Sequence, residues 1–209
     1  MNFKSREVAV RPAQPTDREG VRRVVAAAFG SEEGPRIVEL VGALDASGRT
    51  ELSLVAEVGG AVAGHVQLSR SWVDTRRALV DVLVLSPLSV QPEHQGIGIG
   101  GLLVAAAIEA ARESGSPALF LEGGPDYYGR RGFEPATPRG FVRPSPRIPA
   151  PAFQVAVLDT FEEWMTGPLV YCDPFWALDC VGLRDPLLAE LEARFSGEEL
   201  GGEDPPAVG

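Results

Sequence analysis

Val90-Gln91-Pro92-Glu93-His94-Gln95-Gly96-Ile97-Gly98-Ile99-Gly100-Gly101 lies near the middle of this 209-residue chain. An apolar run ends at Val90, a short polar turn follows, then glycines alternate, and a helix is expected to open at Leu102. Such an arrangement delivers bare backbone N–H groups to a helix N-terminus, where unpaired donors and the helix dipole attract an anion. Glycine lets the backbone approach a ligand with no Cβ in the way, and it tolerates the dihedrals of a nest of N–H groups. A dinucleotide fingerprint would need G-x-G-x-x-G, and the chain has G-x-G-x-G-G. A nucleotide P-loop would need Lys-Ser/Thr after the last glycine, and Leu102-Leu103 stands there. What remains is Q-x-x-G-x-G over Gln95–Gly100, or a glycine-rich turn that holds no ligand.

Upstream, Glu7-Val8-Ala9-Val10-Arg11 alternates and ends at Pro12, which predicts a first strand. Thr16 or Asp17 can cap a helix carrying Val21, Val24, Val25, Ala28 and Phe29, with Gly30 placed to end it. A second helix is expected over 35–44. Leu52 to Val58 and Ala61 to Leu68 read as strands joined by Gly59-Gly60, a hairpin signal. Ala78 to Val90 is a long strand-like run interrupted by Ser86-Pro87, where the missing donor predicts a bulge.

Downstream, Gly100 to Ser114 is helical by periodicity, with Leu102, Leu103, Ala106, Ala107 and Ala110 apolar and Gly115 as the stop. A short buried strand follows at 118–121, then a brief helix over 126–131, a return strand from Phe133, and a last good strand at 153–158. Between these, residues 134–151 hold six prolines and predict a loop. Residues 186–195 suit a short amphipathic helix, and the acidic, Gly- and Pro-rich stretch 196–209 predicts disorder.

Size allows one substantial core. No apolar run approaches the roughly 18 residues of a membrane span. Cys172 and Cys180 lack metal-ligand spacing; a disulfide between them is conceivable, but an N-terminal segment with no apolar signal points to a reducing cytoplasm and free thiols. The net charge of −10 argues against nucleic acid and suits a cationic amine. Four of those charges, Glu198, Glu199, Glu203 and Asp204, lie in the expected tail.

The loop at 95–100 and the order β-α-α-β-β-β-α-β-α-β-β resemble the GCN5-related N-acetyltransferases. Leu88 to Leu103 and Phe120 to Ala136, the latter holding Tyr127-Tyr128-Gly129-Arg130-Arg131-Gly132-Phe133, resemble most the YhbS-like predicted acetyltransferases. The resemblance covers about residues 7–160 as one acetyltransferase domain, leaving 161–195 as an extension packed on it and 196–209 as the tail. It implies an α/β (α+β) fold with a central, mixed, mostly antiparallel sheet splayed between the fourth and fifth strands and flanked by helices. It implies acetyl-CoA as co-substrate, with pantetheine entering the splay like an extra strand.

By match to the motif, Leu88, Ser89 and Val90 would line the pantetheine and thioester. Gln95, Gly96, Ile97, Gly98, Ile99, Gly100 and Gly101 would cradle the diphosphate. The implied reaction is transfer of acetyl to a primary amine by direct attack, and Tyr128, in Y-x-x-x-G-F, would be the acid that protonates the departing thiolate. Alternatively Tyr128 packs and hydrogen-bonds beside the cofactor. Relatives often carry a glutamate four to six residues before the position of Val90; here Ser86, Leu85 and Val84 stand there. Asp81 and Glu122 are the remaining carboxylates, either as a base acting through water or as solvated strand-end groups. His65 is expected to be a satisfied sheet residue. His94 is expected to face solvent or a phosphate. Arg130 and Arg131 can contact a CoA phosphate or lie on a solvated helix face, and Arg131 replaces the family's usual apolar residue. Phe141, Phe161, Trp164, Phe175 and Trp176 can line an acceptor pocket or cover a dimer contact, so a homodimer stays open. The reading from a different class is an acyl-CoA-binding sensor without turnover.

Overall fold

The computed structural model describes residues 8–200, with side chains described through residue 196. The remaining seven residues at the start and nine at the end lie outside it, including most of the expected tail and Glu7 of the first strand. The chain forms one eight-stranded sheet whose strands run in the order Val8–Pro12 (β1), Thr50–Val58 (β2), Ala61–Asp74 (β3), Leu79–Val90 (β4), Ala118–Glu122 (β5), Phe153–Val157 (β7) and Glu134–Pro135 (β6), with Leu169–Val170 (β8) paired to β3. Four long or central strands build it: β2 (Thr50–Val58), β3 (Ala61–Asp74), β4 (Leu79–Val90) and β5 (Ala118–Glu122). β1 (Val8–Pro12) closes one edge; β6 (Glu134–Pro135) and β7 (Phe153–Val157) close the other. All pairs are antiparallel except β4 with β5. This is the mixed α/β sheet flanked by helices that the order of elements predicts.

The helix expected to stop at Gly30 does so only as a sharp break inside α1 (Arg18–Ala46). Gly30 sits at φ 72°, ψ −171°, which no helix accommodates and which glycine tolerates best. The second arm resumes at once rather than at residue 35, and Pro35 lies inside it, one turn on from the break. The arms of α1 cover one face of the sheet. Val21 and Val25 of the first arm and Val41 of the second close over Val55 of β2. Leu40 and Leu44 join Val82, Val84, Phe120 and Phe153 in a second cluster. That cluster also takes Leu169 of β8 (Leu169–Val170) and Phe175 of α4 (Asp173–Ala177), so residues 169–175 are built into the core. The helix expected at 186–195 is α5 (Leu187–Leu200), which carries helix five residues into the acidic stretch.

The opposite face belongs to α2 (Ile99–Glu113). It starts three residues before the expected Leu102. Its buried stripe is Ile99, Leu103, Val104, Ala107, Ile108 and Ala111, on Leu83, Leu85, Leu119 and Leu121. Leu102, expected in that stripe, is half exposed instead.

Where the first helix meets the sheet edge, Asp17 accepts hydrogen bonds from Arg11 Nη1 (2.6 Å) and Nη2 (3.0 Å) and from the Gln14 N–H (2.8 Å). Arg11 hydrogen-bonds Asp17 and Glu57 together. Hydrogen bonds from Arg11, then from Gln14, hold the Asp17 carboxyl down to about 2. The folded state therefore keeps this carboxylate ionised where the unfolded chain protonates it, so its contribution is present above about 3.8 and is lost as pH falls through about 2. Asp17→Asn is expected to lower the melting temperature at pH 7, and the gap from wild type should close in melts recorded near pH 2.

Candidate active site

β4 and β5 pair at only two positions, Leu83 with Leu119 and Val84 with Phe120. Beyond them β5 turns its other edge to β7 through Glu122, while β4 continues to Val90 against β3 alone. The register of β3 and β4 slips between Val66–Leu88 and Leu68–Leu85, so two residues of β4, Ser86 and Pro87, oppose the single Gln67. This is the bulge that Ser86-Pro87 predicts, and it bends β4 where the strands part. The outer edge of β4 beyond Val84 thus faces a cleft, and short of the Val90 carbonyl its main-chain groups are free to pair with a ligand.

The glycine loop forms the mouth of this cleft. Gln95 Nε2 donates to the Val90 carbonyl at 3.0 Å, tying the turn back onto the strand end. Gly96 (φ 76°) and Gly98 (φ 98°) are left-handed, and Gly98 is the N-cap of α2. The first helical bond runs from Leu102 N–H to the Gly98 carbonyl at 3.1 Å. Among the described residues no backbone acceptor takes the N–H groups of 96–101. The amides are therefore presented at the positive end of the α2 dipole, the arrangement that draws an anion. Ile97 and Leu102 lie exposed beside them. Leu88 and Val90 turn their side chains toward the α2 core. Ser89 turns the other way, onto the face that His65 shares, and is buried there.

α3 (Pro125–Gly129) stands over the loop. It is shorter than the helix expected over 126–131. Tyr128 packs on the same cluster as Leu88 and Val90, with Phe133 edge-on at 5.8 Å between ring centroids. Its ring lies against Gly123, where a Cβ would collide with it. Burial, reinforced by Tyr127 and opposed by Arg131, pushes its hydroxyl up to about 12. It is a neutral donor across the physiological range. Tyr127 is more exposed, and its hydroxyl touches the position a Cβ would take on Gly100. The Arg131 guanidinium lies 3.7 Å over the Tyr127 ring, donates to the Tyr127 carbonyl, and borders Gly101. Arg131 is thus a packed side chain beside the loop rather than part of a solvated face. Arg130 is exposed.

The two carboxylates separate by location. Asp81 is exposed and pairs in register with Trp72, ahead of the Leu83–Leu119 contact and away from the cleft. Glu122 ends β5 at the point where the strands part. It faces the α1 side, since it alternates with Ala118 and Phe120 of that core. Burial drives its carboxyl up to about 7, against hydrogen bonds from Tyr171 and from the Gly182 N–H (3.0 Å) and the nearby Arg147 charge. His94 sits in the turn, 3.8 Å from Glu93. The aromatics expected at an acceptor pocket or dimer contact divide. Phe141 and Phe175 are core, Phe161 packs on that core, Trp164 lies under Arg77, and Trp176 is exposed.

His65 departs from expectation. It is fully buried, with Nε2 2.9 Å from Ser53 Oγ, but Nδ1 has no partner. Its cross-strand neighbour Ser89 also has an unpartnered hydroxyl. Such an orphan costs about 1–3 kcal/mol. The sequence shows only a histidine among apolar residues; the alternation His65-x-Gln67-x-Ser69-x-Ser71 was the available sign of a polar stripe on one strand face.

The profile of the acetyltransferase (GNAT) domain family matches residues 9–136. Uncharacterized N-acetyltransferase YjhQ of Escherichia coli K12 is 37% identical over 133 residues, 63% of this chain and 72% of that protein. A GNAT family acetyltransferase from Brucella melitensis, solved in complex with acetyl-CoA, superposes with a TM-score of 0.66 at 30% identity, covering 81% of this chain and 99% of the other. YhbS from E. coli, solved in complex with CoA, gives a TM-score of 0.72 at 26% identity, over 84% and 95% of the two chains. A sheet that parts between its fourth and fifth strands, a free-amide loop at the mouth of the gap and a family match across both place this chain in the GNAT acetyltransferase family.

Proposed function

We propose that this protein transfers the acetyl group of acetyl-CoA to a primary amine of a small molecule or protein by direct attack. The observation that carries the reading is the open edge of β4, with unoccupied amides of residues 96–101 at its end. The diphosphate would rest on those amides, and pantetheine would extend along Leu88, Ser89 and Val90. Tyr128 would then stand by the sulfur. Holding amine and thioester together in one cleft supplies much of the rate enhancement, since orientation replaces a bimolecular encounter.

The chemistry needs an acid and a base. Tyr128, held neutral by burial, protonates the departing thiolate. Glu122 takes a proton from the attacking nitrogen. A carboxyl near 7 is well matched to that task, because it ionises close to neutral pH and is basic enough to accept. The residues at 161–183 close over Glu122 through Tyr171 and Gly182, which makes this segment a wall of the acceptor side.

The test is thiol release from acetyl-CoA over a panel of aliphatic and aromatic amines, with calorimetric titration of CoA alongside. Turnover with at least one amine is expected. CoA binding with no turnover would favour the sensor reading, which draws on the absence of a carboxylate at residues 84–86. With a responsive amine, the rate of wild type should rise with pH through about 7 as Glu122 ionises. Glu122→Gln should lose that limb and run about tenfold slower at pH 8. A limb that survives the substitution would remove Glu122 from the base role.

A further inference from the structure

The face of β3 beneath α1 carries His65, Gln67, Ser69 and Ser71, all fully buried. On β4, Ser89 lies across from His65 in the same register. In-register neighbours sit about 4.5–5.5 Å apart at Cα and share a face. His65 Nδ1 and Ser89 Oγ both lack partners, and Ser89 directly precedes Val90 on the edge of β4 that β5 leaves unpaired. On its far side His65 meets Ser53 at 2.9 Å. Ser53 in turn lines a cavity of about 640 Å³ between the two arms of α1 and the β2 edge, with Arg18, Arg22 and Asp45 also on its wall. The pattern is a line of polar atoms that starts beside Val90 and ends at that cavity, with one unbonded step, from Ser89 to His65, where two unpartnered polar groups call for a bridging water.

We propose that Ser89, His65 and Ser53 form a water-bridged proton exit from the acceptor amine to the cavity between the arms of α1. This rests on the acetyl-transfer reading above. An aliphatic amine arrives as an ammonium and must shed two protons to become an amide. The first leaves before attack: an N–H bond breaks, a proton passes through the Ser89 hydroxyl and its bridging water to His65 Nδ1, the Nε2 proton moves to Ser53 Oγ, and the Ser53 proton reaches water in the cavity. The second goes to Glu122 during attack, while Tyr128 supplies one to the thiolate. No electrons change hands, and the net product is one proton per turnover.

A relay histidine must be neutral at rest so that Nδ1 can accept, and burial alone holds His65 down to about 4. No charged group contributes to that shift. The side chains packed over its strand neighbour Val55 are Val21, Val25 and Val41, and the charges nearest the exit are Arg18, Arg22 and Asp45 at the cavity wall. His65 acts through Ser89 and water, so it is a positioning and relay residue rather than a group that touches the reacting atoms.

The experiment compares an aliphatic primary amine with an arylamine, which is already neutral at pH 7 and has no first proton to lose. In His65→Asn and Ser53→Ala, the ratio of aliphatic to arylamine turnover at pH 7 is expected to fall about tenfold. The ratio should recover as pH rises toward the aliphatic pKa, with CoA affinity unchanged. A ratio within twofold of wild type in both variants overturns the proposal; if His65→Asn does not fold, Ser53→Ala decides. A crystal structure of the wild-type CoA complex gives a readout independent of turnover. A water within hydrogen-bond distance of both His65 Nδ1 and Ser89 Oγ is expected, and a dry or protein-bonded Nδ1 overturns the exit. If no amine in the panel is acetylated, the acetyl-transfer reading fails on its own, and this crystal structure alone decides whether the bridged line exists.

Discussion

Gly98→Val is expected to weaken CoA binding by about 100-fold or more, read by calorimetric titration, and to abolish the rise in melting temperature that saturating CoA gives wild type. The effect does not come from a clash inside the protein, because no atom lies within 4 Å of where a Cβ on Gly98 would sit. It comes from two other sources. A φ of 98° is one that a β-branched residue enters only at a cost of about 1–3 kcal/mol, so the N-cap of α2 relaxes and the amides lose their common aim. In addition the new side chain projects into the open volume where the diphosphate is proposed to rest. Because the loop is exposed and strain stays local, far-UV circular dichroism should be close to wild type. Retained CoA affinity in a folded Gly98→Val variant would contradict the assignment of residues 95–101 as the cradle.

Tyr128→Phe is expected to lower kcat by about 100-fold while CoA affinity stays within a few-fold of wild type. Phenylalanine keeps the ring that packs with Phe133 and beside Leu88 and Val90, so the cleft survives. What is lost is the proton for the thiolate. Since burial raises the hydroxyl to about 12, the wild-type acid stays protonated through pH 10, and Tyr128 should impose no alkaline limb below that pH. Unchanged turnover in the phenylalanine variant would leave Tyr128 with only the packing role, and would turn attention to Tyr127, whose hydroxyl borders Gly100.

The three substitutions proposed around the cleft separate binding from chemistry. On the proposed roles, Gly98→Val would act on the anion cradle, Tyr128→Phe on the leaving group and Glu122→Gln on the nucleophile. Glu122 and Tyr128 sit on opposite faces of the sheet, Tyr128 with the α2 core and Glu122 with the α1 core. As the proposed acid and base, they would suit a reaction in which the thiolate departs one way and the amine arrives from the other.

Much of this architecture was legible in the linear chain. The alternation at 52–68 with Gly59-Gly60 between, the bulge at Ser86-Pro87, and the loop at 95–101 each follow from local rules: side-chain period, a missing donor, and backbone freedom at glycine. Such rules act over a few residues, so sequence alone reaches them. The boundary of α2 and its buried stripe were misplaced. Alternating glycines hide where helical dihedrals begin, and a shift of three residues changes which side chains face the sheet.

What the sequence by itself determined is the order of elements, the anion-seeking loop and the tyrosine that follows it. Only the tertiary structure told Asp81 and Glu122 apart by location, because position relative to the point where β4 and β5 part depends on pairing between strands more than thirty residues apart. It alone showed that burial under the 171–182 segment brings Glu122 near neutrality, and that His65 has one nitrogen satisfied and one not. Desolvation and hydrogen-bond satisfaction are properties of what surrounds a group in space, and most of that surrounding arrives from distant parts of the chain.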